Sequence, residues 1–155
     1  MPMVPHPTLF GVFRPVDHIV ISFATAADQG SAAQQLLQAH FEDGDVYRYT
    51  PMEMQQQAEG DIENATTLAS IGQDLNLVKA HLELAKSGQS FLVVHAQDTE
   101  DVDTVTKIAV RCGATRAQRY GSLIVEELIR ADANTVADLM QRPESPETGL
   151  DDSVK

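Results

Sequence analysis

The chain has one cysteine, Cys112, and no tryptophan among its 155 residues. A lone thiol cannot close an internal disulfide, so disulfide scaffolds are excluded and a reducing, cytoplasmic setting is expected. Basic residues are scarce: Lys and Arg number 11 against 23 Asp and Glu, a formal net charge of -12. Such a chain repels phosphate backbones and anionic lipid, and no basic run offsets this, so neither nucleic acid nor membrane is an expected partner. No apolar run is long enough to span a bilayer, and the opening residues MPMVPHPTLFGVFRP lack the basic and long apolar regions of a signal peptide. The glycines never cluster into a phosphate loop, and no G-x-S-x-G elbow occurs. The histidines His6, His18, His40, His81 and His95 show no H-x-x-x-H spacing. No metal and no cofactor are expected.

What is present suits one α+β domain over residues 17–130. Residues 1–16 hold Pro2, Pro5, Pro7 and Pro15 and read as an extended arm. Phe10, Val12 and Phe13 could pin that arm to the body or to a second subunit. His18–Phe23 is apolar and β-branched, a strand. Thr25, with Asp28 three residues on, caps a helix that carries Ala33, Leu36 and Leu37 to about Phe41. Asp43-Gly44-Asp45 turns the chain into a strand over Val46–Tyr49.

Thr50-Pro51-Met52-Glu53 is the clearest helix start: an N-cap, proline at N1, and a glutamate that reaches back to the cap. Met54, Ala58, Ile62, Ala65 and Ala69 form the stripe that follows, with a possible break at Gly60. A further helix, Asp74–Ser87, places Leu75, Val78, Leu82 and Ala85 on one face. Leu77, His81 and Leu84 widen that face, and Gly88 stops the helix. Phe91–Ala96 is the third strand. Asp98 caps a helix whose stripe is Val102, Val105, Ile108, Ala109 and a buried Cys112; Gly113 ends it. Ala117–Tyr120 is the fourth strand, and Gly121 marks a bend. Periodicity does not decide between strand and helix for Leu123–Val125. From Ala131 apolar density falls. One weak helix around Val136, Leu139 and Met140 is conceivable in residues 131–155, otherwise read as a mostly disordered acidic tail.

The two halves repeat one pattern: strand, capped helix, glycine, strand. Their second strands end in the same dipeptide, Arg48-Tyr49 and Arg119-Tyr120. Two such βαβ units predict a ferredoxin-like, four-stranded antiparallel sheet with its crossover helices on one face. Residues 51–87 become a helical insertion between the halves. The insertion or a second subunit must then cover the other face, which makes a homodimer the expected assembly.

The run GQDLNLVKAHLELAKSG leads into FLVVHA and GATRAQRYGSLIVEELI. This half resembles small bacterial proteins of the general-stress type, which close with GA-x-x-A-x-x-YG, an apolar stretch and acids. The resemblance implies a bacterial cytoplasmic protein linked to stress response. It carries no catalytic residue across.

The ligand-binding candidates are Arg48, Tyr49, Arg119, Tyr120, His18 and His95. Adjacent strand residues face opposite sides, so each Arg-Tyr pair sends one side chain to each face. Buried tyrosines with wet arginine heads are the plain reading. Two symmetry-related residues framing an anionic or aromatic ligand are the functional one. His18 and His95 meet only if the sheet order brings their strands together. Glu126-Glu127 and Asp101/Asp103 are possible acid–base pairs, read more simply as solvated faces. The sequence therefore points to a non-enzymatic binding or regulatory module with a possible small-molecule ligand. The alternative is a small enzyme of the dimeric α+β barrel type, its pocket on the open sheet face and lined by His18, Tyr49, His95 or Tyr120.

Overall fold

The structure is a computed structural model, and it describes residues 7–9 and 11–141. Phe10, His6 and the prolines at 143 and 146 lie outside the described residues. The strands are β1 (Thr8–Leu9), β2 (Val12–Phe13), β3 (His18–Phe23), β4 (Val46–Tyr49), β5 (Ser90–His95), β6 (Ala114–Tyr120) and β7 (Val125–Arg130). The α-helices are α1 (Ala26–Ala39), α2 (Pro51–Glu63), α3 (Ala65–Ser70), α4 (Leu75–Lys86), α5 (Thr99–Arg111) and α6 (Ala133–Gln141).

The helix starts are where local chemistry puts them. Thr25, Thr50, Asp74 and Asp98 each accept a backbone N–H of the first turn, and Thr50 with Glu53 closes the full capping box. These bonds satisfy donors that a helix N-terminus otherwise leaves orphaned. Gly88 (φ 97°) and Gly113 (φ 82°) take the left-handed conformation that stops α4 and α5, at little steric cost without a Cβ. The break in the long insertion helix falls at Asn64, not Gly60. The Asn64 backbone leaves helical geometry (ψ 43°) while its side-chain amide donates to Gly60 O at 3.0 Å.

The main sheet has the order β4-β5-β3-β6-β7, with antiparallel neighbours throughout. Five strands replace the expected four. After Tyr120 the Gly121 N–H bonds to Ile124 O at 2.8 Å, the chain reverses, and Val125–Arg130 pairs back onto β6. The apolar Leu123 and Ile124 sit at the tip of this hairpin; Glu126 and Glu127 are exposed, as suits an edge strand, while Leu128 and Ile129 pack against the core.

One face of the sheet carries α1 and α5. Ile19, Ile21, Phe23, Leu92, Val94 and Ala117 meet Leu36, Val105, Ile108 and Ala109 there. The other face is not bare. Val20, Phe91, Val93, Tyr49 and Tyr120 pack under Met54 of α2, Ala85 of α4 and Phe13 of β2. Behind them Val12, Ala58, Leu68 and Val78 join the arm to the insertion helices. The insertion and the arm of the same chain thus fill the face that the sequence left open. With that face covered by the same chain, a second subunit is not needed there. Val93 and Val94 are buried on opposite faces.

Two smaller expectations change as well. Cys112 is half-buried at the α5 C-cap, not deep in the stripe, with Sγ 3.8 Å from Ser31 Oγ. The helix that the sequence allowed around Val136, Leu139 and Met140 runs over Ala133–Gln141, which narrows the stretch read as disordered. Leu139 of this helix reaches the Gly113 turn, which its apolar spacing with Val136 and Met140 favours.

Candidate functional site

Sheet order decides which candidates meet. β3 lies between β5 and β6, and His18 is in direct register with His95 on one side and Tyr120 on the other. The His18 and His95 rings stand 5.1 Å apart, and Tyr47 of β4 approaches His18 at 5.9 Å. His18 Nδ1 is 2.8 Å from Val16 O, the geometry of an N–H donor, which leaves Nε2 with the lone pair. Burial holds the His18 pKa below the ordinary histidine value, opposed by the Val16 bond and reinforced by His95. His95 Nδ1 faces Asp45 Oδ1 at 3.6 Å.

Arg119 sits at the same end of the sheet, on the α1/α5 face. Its Nη2 donates to Gln97 O at 3.0 Å. The Gln97 side chain reaches Asp17 Oδ2 at 3.5 Å, and Asp17 N donates to Tyr120 O at 2.8 Å. Asp17 holds φ at 64°, a left-handed conformation that aspartate tolerates better than most residues. This corner therefore joins His18, His95, Tyr120 and Arg119 through the segments before β3 and after β5.

Arg48 does not join them. It lies on the same face as Arg119, but three strand intervals away, about 14 Å at the usual strand spacing. Its Nε and Nη2 both donate to Oε1 of the buried Gln29, at 3.2 and 2.9 Å. The Gln29 amide donates to the carbonyls of Tyr49 (3.0 Å) and Phe91 (2.6 Å). Arg48 thus orients a core glutamine that ties α1 to β4 and β5. The tyrosines face the opposite way: Tyr49 packs edge-on against Phe13, and Tyr120 lies beside the buried His81. Burial raises both phenol pKa values far above the ordinary range. The two arginines thus hold different partners, Gln29 and Gln97.

A cleft of about 340 Å³ opens beside Arg119, between α5 and the β6–β7 hairpin. Gln97, Thr99, Val102, Asp103, Arg119 and Glu126 line it. Glu126 is the cross-strand partner of Arg119, and Asp103 enters from the first half of α5. Arg119 Nε is sheltered from water without a hydrogen-bond acceptor. An orphaned donor of this kind costs about 1–3 kcal/mol, more beside a charge. A more open hollow of about 370 Å³ lies over α2, lined by Gly11, Tyr49, Glu53 and Gln57. Its ionisable lining is acidic.

Sequence reasoning treated Asp103 and Glu126 as members of separate surface pairs and overlooked Gln97, Thr99 and Val102 here. The signal is that Asp103 and Glu126 sit on elements flanking Arg119, which only the β7 pairing reveals. Among the described residues, no group of three or more His, Cys, Asp or Glu is arranged to hold a metal ion, and no helix is long and apolar enough to cross a membrane. Comparison with protein-family models, curated proteins and solved structures finds no match.

Proposed function

We propose that this protein is a non-enzymatic small-molecule-binding module whose site is the Arg119 cleft. The observation that carries this reading is the Arg119 guanidinium: it lines the cleft and is anchored through Nη2 on Gln97 O. A ligand carboxylate or phosphate oxygen meeting this guanidinium would gain charge-assisted hydrogen bonds. The cleft is at the small end of the usual range for ligand sites, about 300–1,000 Å³, so the ligand is small. Resemblance of the second half to general-stress-type proteins supports a cytoplasmic, stress-linked regulatory role.

The finer architecture belongs to the same proposal. β3-α1-β4 and β5-α5-β6 each cross over one intervening strand with the helix on the same face. Both dipeptides point Arg to the helix side and Tyr to the other. These matches support a ferredoxin-like duplication, with β7 added outside it. A homodimer remains part of the proposal on new ground. The hairpin tip exposes Leu123 (94%) and Ile124 (73%) beside the β7 edge, apolar surface that a second copy would cover.

The test is an amide NMR titration of the full chain with a panel of small metabolites. Shifts centred on Gln97, Arg119 and Glu126, lost in Arg119→Gln, would uphold the site. Shifts centred on the α2 hollow, or none at the Arg119 cleft, would overturn it.

A further inference from the structure

The charges around the cleft limit what can enter it. Arg119 is its cation, and Asp103 and Glu126 are its acids. A ligand carrying only a carboxylate would gain Arg119 but face two repelling carboxylates. A ligand carrying only an ammonium group would gain the acids and face the guanidinium. A molecule with both charges a few bonds apart satisfies both sets, since each then meets its opposite. Between the charged groups Val102 and Leu128 supply apolar wall, with Thr99 and Thr106 beside them. The Thr106 hydroxyl donates to Val102 O at 2.7 Å, so it meets a ligand only as an acceptor.

We infer that the Arg119 cleft takes a small aliphatic zwitterion of the α-amino-acid class. Its carboxylate is held by Arg119, its ammonium by Asp103 and Glu126, and its side chain lies against Val102 and Leu128. The inference rests on the reading of this cleft as the binding site. Glu126 stands across from Arg119 in the β6–β7 ladder, and Asp103 faces the cleft from α5. A ligand bridging them would span the helix and the hairpin, so binding also ties α5 to β7.

The experiment is an NMR and calorimetric titration of the full chain with three probes: L-leucine, 4-methylpentanoate, which lacks the amine, and isopentylamine, which lacks the carboxylate. L-Leucine should shift the amides around Gln97, Asp103, Arg119 and Glu126, and each analogue should bind at least tenfold more weakly. Arg119→Gln should weaken L-leucine at least tenfold. The Asp103→Asn/Glu126→Gln double variant should weaken L-leucine but strengthen 4-methylpentanoate, a gain that no folding defect produces. Equal binding of L-leucine and 4-methylpentanoate in the cleft would overturn the zwitterion and leave the binding site standing. Tighter binding of isopentylamine than of L-leucine would do the same. No shift at the cleft with any probe would overturn both.

Discussion

The two faces of the sheet differ in how they are sealed. Under α1 and α5 the lining is mainly apolar, drawn from strands and helices that alternate along the chain, with one buried polar clamp where Gln29 meets Arg48 and the Tyr49 and Phe91 carbonyls. Under α2, α4 and the arm, the same strands bury Tyr49, Phe91 and Tyr120 together with Ser22, Gln118 and His81. Those polar groups have partners: Ser22 Oγ meets Thr115 Oγ1 at 2.7 Å, and His81 Nε2 meets Gln118 Oε1 at 3.3 Å. Asp61 of α2, also buried, accepts from Phe13 N at 3.3 Å and Gln57 Nε2 at 3.0 Å, and so holds the arm in place. The face under α1 and α5 is closed mainly by matching apolar stripes. A face closed by an insertion and an arm is located by specific polar contacts, because an unpaired buried group is costly.

The widest gap to be opened is between this two-sided core and a sheet covered on one face only. Phe91→Ala should cost about 3–5 kcal/mol and Ile108→Ala about 2–5 kcal/mol in urea unfolding, since both leave cavities in packed layers. A cost under about 1 kcal/mol for Phe91→Ala would show the α2/α4 face to be loosely covered.

His81 sharpens the contrast through pH. Burial lowers its pKa from 6.5 to about 4. Below pH 6.5 the unfolded chain binds a proton that the folded chain refuses, so stability falls as pH drops toward 4; above 6.5 the group contributes nothing. The full loss is roughly 3 kcal/mol. His81→Gln should flatten the stability profile between those pH values relative to the unaltered chain. Parallel profiles would place His81 outside the core.

Asp61 separates the arm's hydrogen bonds from its charge. Burial raises the Asp61 pKa, against the pull of its Gln57 and Phe13 bonds. Asp61→Ala, which leaves Phe13 N–H buried without its acceptor, should cost about 1–3 kcal/mol. It should also speed amide exchange at residues 12–13. Asp61→Asn keeps an acceptor and removes a poorly solvated charge, so it should cost less than Asp61→Ala. Equal losses would mean that the carboxylate charge itself holds the arm.

The smallest effect distinguishes the two arginines. Arg48→Ala removes a clamp on Gln29 which, on an exposed arginine, is worth about 1 kcal/mol, and should leave binding in the Arg119 cleft unchanged. Arg119→Ala should lose under about 1 kcal/mol of stability, because its anchoring bond to Gln97 O is traded against an orphaned Nε, yet should abolish ligand shifts. The reverse pattern in melting and titration would exchange their roles.

The sequence by itself determined the helix starts at Thr25, Thr50, Asp74 and Asp98 and the stops at Gly88 and Gly113, because caps and left-handed glycines act within a few residues. It also set the alternating strands and helices, through their apolar stripes. FLVV is apolar without alternation, which is what a strand buried on both faces looks like; that signal was present for the second core. Tertiary structure alone decided that the insertion and arm close over that face, since nothing local says what a stripe will meet. It also decided that His18 touches His95, that Arg48 and Arg119 stand apart, and that Asp103 and Glu126 share a cleft with Arg119. The first two depend on strand order, set by contacts between residues far apart in sequence, and the last on the β6–β7 hairpin and on α5 packing beside it, which apolar periodicity does not encode.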